Sequence, residues 1–409
     1  MKKTYIKLLG VLLTLAILVG GSTLVAAAAP AAGGAPSVEE VYVGGMPFGV
    51  KFFTEGVLVV GFCDVDACSG KGEAQATQNP ARDAGVRVKD LIVKVNGSPV
   101  GSAAALTEAV EKCEGHPITL TVKRLTPGGG RKAGQRGYSE VTVTVKPALS
   151  KSENRYKTGV WVRDSGAGIG TVTYIVPGTN AFAGLGHGIC DGDTGELIPM
   201  QRGQVTDVTI SGVERGEVGD PGAIKGYFNP GKTGTLLGNT DCGVFGIFSG
   251  LPASATTRLP VGKRQEVREG DATILCTLDN GKIGTYNVKI TGVDVTATGS
   301  KCFSITVTDP ALLAKTGGIV QGMSGSPVIQ NGKLVGAVTH VLISDPTRAT
   351  ASSWTICCGI CRRYYGDPRT IIHEIPRLVN SGASEKAIPS ARGYCLLLIQ
   401  SLTANPQTP

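Results

Sequence analysis

Between residues 161 and 307 the chain alternates short β-branched runs with glycine and Asp/Asn clusters. That pattern leaves little besides a barrel or sandwich of short strands. The runs occupy 171–176, 204–210, 286–290 and 304–307. Glycine supplies 59 of 409 residues and aromatics only 5%, a balance that suits tight turns better than long helices. The length points to two domains rather than one. The same stretch holds no glycine-rich phosphate loop, no HExxH zinc motif and no CxxC pair, so neither metal nor organic cofactor is expected. Net charge is +8, yet no Lys/Arg-rich helix with interleaved aromatics occurs. The charge therefore reads as a basic surface weakly drawn to anionic membranes, with no nucleic-acid partner.

Gly322-Met323-Ser324-Gly325-Ser326-Pro327 carries the chemistry. A serine flanked by glycines permits a sharp turn and leaves neighbouring N–H groups free to converge, as an oxyanion hole beside a nucleophile requires. The expected donors are the amides of Gly322 and Ser324. Asn331-Gly332 marks a two-residue hairpin turn, and 333–341 reads as its return strand. A base must activate the serine. Among four histidines, His187 lies between Gly186 and Gly188, where small neighbours let another loop approach. His116 sits in a surface-turn context, His340 ends the return strand as a packed residue, and His373 lies in the tail. Asp309, before Pro310, is the first choice to orient His187, with Asp191, Asp193 and Asp241 as rivals. Cys190, three residues after His187, is set aside as a nucleophile because the serine loop supplies both nucleophile and hole.

Residues 1–30 form a targeting segment. Lys2, Lys3 and Lys7 precede an apolar run from Leu8 to about Val25, then Ala26 to Ala29. This describes a signal peptide or a membrane anchor, so export is expected. Residues 36–148 resemble a PDZ domain. Met46-Pro47-Phe48-Gly49-Val50 stands where such domains carry their carboxylate-binding loop, which makes Phe48, Gly49 and Val50 the expected peptide contacts. An amphipathic helix is predicted over 103–113, with Ala105, Leu106, Ala109 and Val110 on one face. A peptide C-terminus, or a segment of the chain itself, would occupy the groove. Cys63 and Cys68 are close enough in sequence to close a local disulfide.

Trp161-Val162-Arg163-Asp164, Leu185-Gly186-His187-Gly188, Asp309-Pro310 and residues 317–327 together resemble the stage IV sporulation protein B peptidases, PDZ-containing serine endopeptidases of spore-forming bacteria. The likeness covers about 39–348. It implies a mainly β chain, a PDZ-like α/β domain followed by a trypsin-like double β-barrel peptidase domain at 155–348. In it His187, Asp309 and Ser324 would be base, acid and nucleophile. It further implies self-cleavage and cleavage of a membrane-bound regulator between the sporulation membranes. A catalytically inactive PDZ adaptor and a general extracytoplasmic quality-control protease are the alternatives. Residues 349–409 depart from the resemblance. One inserted nucleotide near Arg348 would restore it, so a frameshifted, poorly ordered tail and a barrel without its final strand are expected. Cys357, Cys358, Cys361 and Cys395 there would then be accidental neighbours.

Overall fold

The computed structural model describes residues 40–67, 77–126, 137–279, 281–297 and 299–354. The targeting segment, Cys68, His373 and the clustered tail cysteines lie outside these residues. Among the described residues no helix is long and apolar enough to cross a membrane.

A long strand, β1 (Pro47–Phe62), serves two bodies in turn. Its second half opens a PDZ sheet. Val57 and Leu58 pair with Ile92 and Leu91 of β2 (Leu91–Val95). After α1 (Ala103–Lys112) come β3 (Ile118–Thr126), which joins β2, and β4 (Gly137–Val145), which joins β3. Ser102 caps α1 by accepting from the Ala105 N–H, and Leu106 and Val110, one turn apart, are buried against Val59, Ile92 and Leu120. The predicted helix and its inward face match.

The neighbour of β1 on the other side is β5 (Val160–Ile175), antiparallel from Val160↔Phe62 to Thr171↔Pro47. Bulges at Trp161/Val162 and Arg163/Ser165 bend the pair as it leaves the PDZ body. Beyond them, the first half of β1 and the rest of β5 become barrel strands. β6 (Ala181–Gly184), β7 (Met200–Thr206), β8 (Gly234–Thr240) and β9 (Gly243–Phe248) close the ring in the order β5-β6-β9-β8-β7-β1, with β1 returning to β5. Phe48, Val50 and Phe52 alternate into its core with Phe182 and Phe248.

This corrects the expected peptide-binding loop. Phe48 and Val50 are 2% and 1% exposed, and Gly49 and Val50 pair with β5 on one side and β7 on the other. No backbone group there is left for a peptide carboxylate. Gly49 is glycine because the Phe228 ring would lie 2.3 Å from its Cβ. The place beside the PDZ half of β1 is held by the chain's own β5. Val160 and Val162 pack on the cluster of Leu106 and Val110, and the Asp164 carboxylate accepts from the Ala103 N–H at 2.8 Å. The self-segment alternative is the one observed.

The second barrel comprises β10 (Gly270–Thr277), β11 (Ile283–Thr291), β12 (Phe303–Val307), β13 (Pro327–Gln330), β14 (Lys333–Leu342) and β15 (Asp345–Ser353), closed in the order β10-β11-β12-β15-β14-β13. A short helix, α2 (Pro310–Thr316), follows β12. The final strand, expected to be lost, is present. Residues 348–351 pair with β12, and Ala349 and Ala351 are fully buried because small side chains alternate inward. Trp354 then stacks edge-on against Tyr174 at 4.4 Å, tying the strand's end to β5.

Candidate active site

Ser324 lies on the loop between α2 and β13, and two glycines make its turn possible. Gly322 and Gly325 have φ of 95° and 94°, a left-handed conformation that side chains resist. At Gly325 space is also decisive, since a Cβ would sit 2.1 Å from the Thr171 carbonyl oxygen. The loop is thereby pressed onto β5, and three hydrogen bonds hold it there. The Thr171 N–H donates to Ser324 O at 3.0 Å. Thr171 Oγ1 donates to Gly322 O at 2.8 Å, and Thr173 Oγ1 to Gly325 O at 2.7 Å. The predicted Asn331-Gly332 turn forms behind the loop, with both residues at positive φ.

These bonds decide where the loop's amides point. Gln321 O accepts from the Ile224 N–H and Met323 O from the Ser326 N–H. The amides on the opposite sides of those two peptide planes belong to Gly322 and Ser324. Neither has an acceptor among the described residues. They are the pair expected from the sequence to face a developing oxyanion.

His187 follows β6 on a loop that turns through Leu185 and Gly186, both at positive φ. A Cβ on Gly186 would meet the Val338 carbonyl oxygen at 2.8 Å, so this loop abuts β14 of the second barrel. His187 Nδ1 lies 2.9 Å from Gly188 O. With Nδ1–H donating there, Nε2 is left unprotonated, as a base requires. Burial pushes the His187 pKa down, and the Gly188 bond opposes this only in part.

His340, expected as a packed strand residue, belongs to this site. Its ring lies 4.9 Å from that of His187, tilted by 33°. Burial, then the neighbouring His187 and Lys301, push its pKa down to about 4. The residue before it, Thr339, accepts the Ser324 hydroxyl on its carbonyl oxygen at 2.9 Å. Thr171 and Thr173 were not anticipated either. Their signal was two threonines on one face of a strand otherwise destined for burial.

Asp309 is not brought to His187. It is the N-cap of α2: Oδ1 accepts from the N–H groups of Ala311 and Leu312, and Oδ2 from that of Asn287. Burial raises its pKa, but the bonds from Leu312, Asn287 and Ala311 outweigh this and hold it below the usual value. Asp-Pro ahead of an apolar run is a helix-start signal, and here that is its role. Of the rivals, Asp191 and Asp193 are paired with Arg163. Asp241 lies exposed in the β8–β9 turn. Cys190 is exposed and lines the same cleft as the two imidazoles.

Two six-stranded β-barrels, with an imidazole loop on one facing a glycine-flanked serine loop on the other, define a double-barrel serine peptidase carrying a PDZ domain. Residues 154–353 match the SpoIVB peptidase S55 family, and residues 73–124 match a PDZ domain. Together the two matches are those of a SpoIVB-like, PDZ-containing peptidase. Solved structures similar to it include the active form of the Rv3671c protease from M. tuberculosis, 15% identical, covering 48% of this chain and 73% of that one at a TM-score of 0.27. A mutant of human heparin binding protein is 13% identical, covering 53% of this chain and 88% of that one, also at 0.27. No curated protein sequence matches.

Proposed function

We propose that Ser324 is the nucleophile, His187 the general base and the amides of Gly322 and Ser324 the oxyanion hole of a protein-cleaving endopeptidase. The observation that carries this is the pair of unpartnered amides flanking a serine hydroxyl beside an imidazole-lined cleft. Rotation about the Ser324 side chain moves its hydroxyl from Thr339 O towards His187 Nε2. His187 takes the proton as Oγ attacks the scissile carbonyl, and the two amides hold the resulting oxyanion. The imidazolium then protonates the leaving amine. Water, deprotonated by the same nitrogen, hydrolyses the acyl-enzyme. Gly188 O, rather than a carboxylate, fixes the imidazole tautomer.

The proposed substrate is a membrane-bound regulator, cleaved outside the cytoplasm during sporulation signalling, with self-cleavage near the N-terminus. Support comes from the family and from the export pattern in residues 1–30. A non-enzymatic PDZ adaptor is the second reading, favoured by the Ser324 hydroxyl bonding a carbonyl and not an imidazole. A fluorophosphonate probe separates the two. Labelling of the parent chain, lost in Ser324→Ala and strongly slowed in His187→Ala, is expected. A folded parent that takes no label would establish the adaptor.

A further inference from the structure

Three glycines on the inward face of β5 have different fates. Gly166, Gly168 and Gly170 stand opposite Phe52, Val50 and Phe48 in the β1–β5 pair. A Cβ on Gly166 would meet the Phe52 ring at 2.4 Å, and one on Gly170 would meet Leu185 Cδ2 at 2.0 Å. Neighbours have filled both positions. A Cβ on Gly168 would meet nothing within 4 Å, and its φ is not in the left-handed region, so neither crowding nor backbone strain requires glycine there. What the missing side chain leaves is a pocket. Its empty volume is about 820 Å³, including space open to solvent, and its walls are Val50, Gly168, Ile169, Leu185 and Ile189, with His187 and His340 at one side. Apart from the imidazoles and the Cys190 thiol, the lining residues are aliphatic or glycine and none carries a charge. Beside it, residues 165–169 of β5 pair only with β1 among the described residues, leaving one strand edge open.

We propose that this pocket is a specificity subsite, that Gly168 sets its depth, and that it takes a large aliphatic or aromatic side chain of the substrate next to the scissile bond. The inference rests on the peptidase reading above and adds the substrate class. An extended substrate lies along the open edge of β5 by strand addition, and its apolar side chain drops towards Gly168. The imidazoles in the wall place that side chain close to the reacting carbonyl. Apolar fit of this kind discriminates by roughly 10–200-fold per methylene-scale change.

The test is a peptide library digested by the parent chain, Gly168→Ala, Gly168→Phe and Ile189→Ala, with cleavage sites read by mass spectrometry. Fluorophosphonate labelling runs alongside to report whether nucleophile and fold survive. The parent is expected to select Leu, Ile, Met or Phe at one position within two residues of the cut. The ratio of kcat/KM for Leu over Ala at that position should fall stepwise through Gly168→Ala to Gly168→Phe, by tenfold or more in the latter. Ile189→Ala should move the preference towards Phe and Trp. A ratio unchanged within twofold in variants that still label, or a parent preferring a charged residue there, overturns the subsite. A folded parent that does not label at all removes the peptidase reading and the subsite with it.

Discussion

The proposed oxyanion hole works only if the loop that carries its amides is held still, and two threonines of β5 anchor that loop. Thr171 and Thr173 are positioning residues: each buried hydroxyl takes one carbonyl of the serine loop. Thr171→Val keeps the shape and strands Gly322 O, so about 1–3 kcal/mol of stability should go. Because the loop then drifts from its hole geometry, kcat should fall by roughly 10–10² with KM little changed, while Thr171→Ser, which keeps the hydroxyl, restores it. Steady-state kinetics on the two variants decide this. The imidazoles give a pH prediction. The proposed base, His187, can take a proton only when neutral, and its pKa is depressed by burial. The labelling rate should therefore climb with pH through a midpoint below the ordinary 6.5. His340 is depressed from 6.5 to about 4, so the unfolded chain binds more protons between those values. Stability should rise with pH from about 4 to 6.5 and level off above, and His340→Gln should flatten that rise in denaturant melts. The sequence showed the serine loop because its glycines are local. It hid His340, whose role depends on a ring from the other barrel.

At the scale of one element, α2 tests what Asp309 does. Its carboxylate caps the helix through two N–H bonds, Pro310 opens the first turn, and Gly317 closes the last at φ 76°. Asn caps as well as Asp but its amide nitrogen cannot accept the Asn287 N–H, so Asp309→Asn should label close to the parent and melt slightly below it. Asp309→Ala should lose about 0.5–2 kcal/mol. A triad acid behaves differently, since its conversion to the amide costs about 10⁴ in kcat. A loss of that size in Asp309→Asn would show that the helix cap is not its function. The two roles look identical in sequence, because Asp-Pro before an apolar turn satisfies both. The β15 strand was illegible for another reason. Ala349 and Ala351 are too small to signal a core strand, yet both are fully buried in the second barrel.

For the whole molecule, the PDZ body is an insertion in a barrel hairpin. Phe53 pairs with Ser165, and Thr54 Oγ1 donates to Asp164 O at 3.1 Å, so the ends of the excursion meet. The first barrel's strands β1 and β5 would form an ordinary hairpin if residues 55–164 were absent. A boundary at 155, natural from the sequence because the polar stretch 151–157 spans it, therefore discards one of six barrel strands. The alternating Phe48, Val50 and Phe52 suit either body, so local pattern could not assign them. A chain beginning at residue 155 should be unfolded by circular dichroism and take no label, since a barrel missing a strand exposes its core and two backbone edges. Replacing residues 55–164 with an Asn-Gly turn should give a barrel pair that melts cooperatively and reacts with fluorophosphonate. If the truncated chain folds and the hairpin-closed one does not, β1 is not the strand that completes the barrel. If both fold, the PDZ body and the barrel share a strand without depending on it.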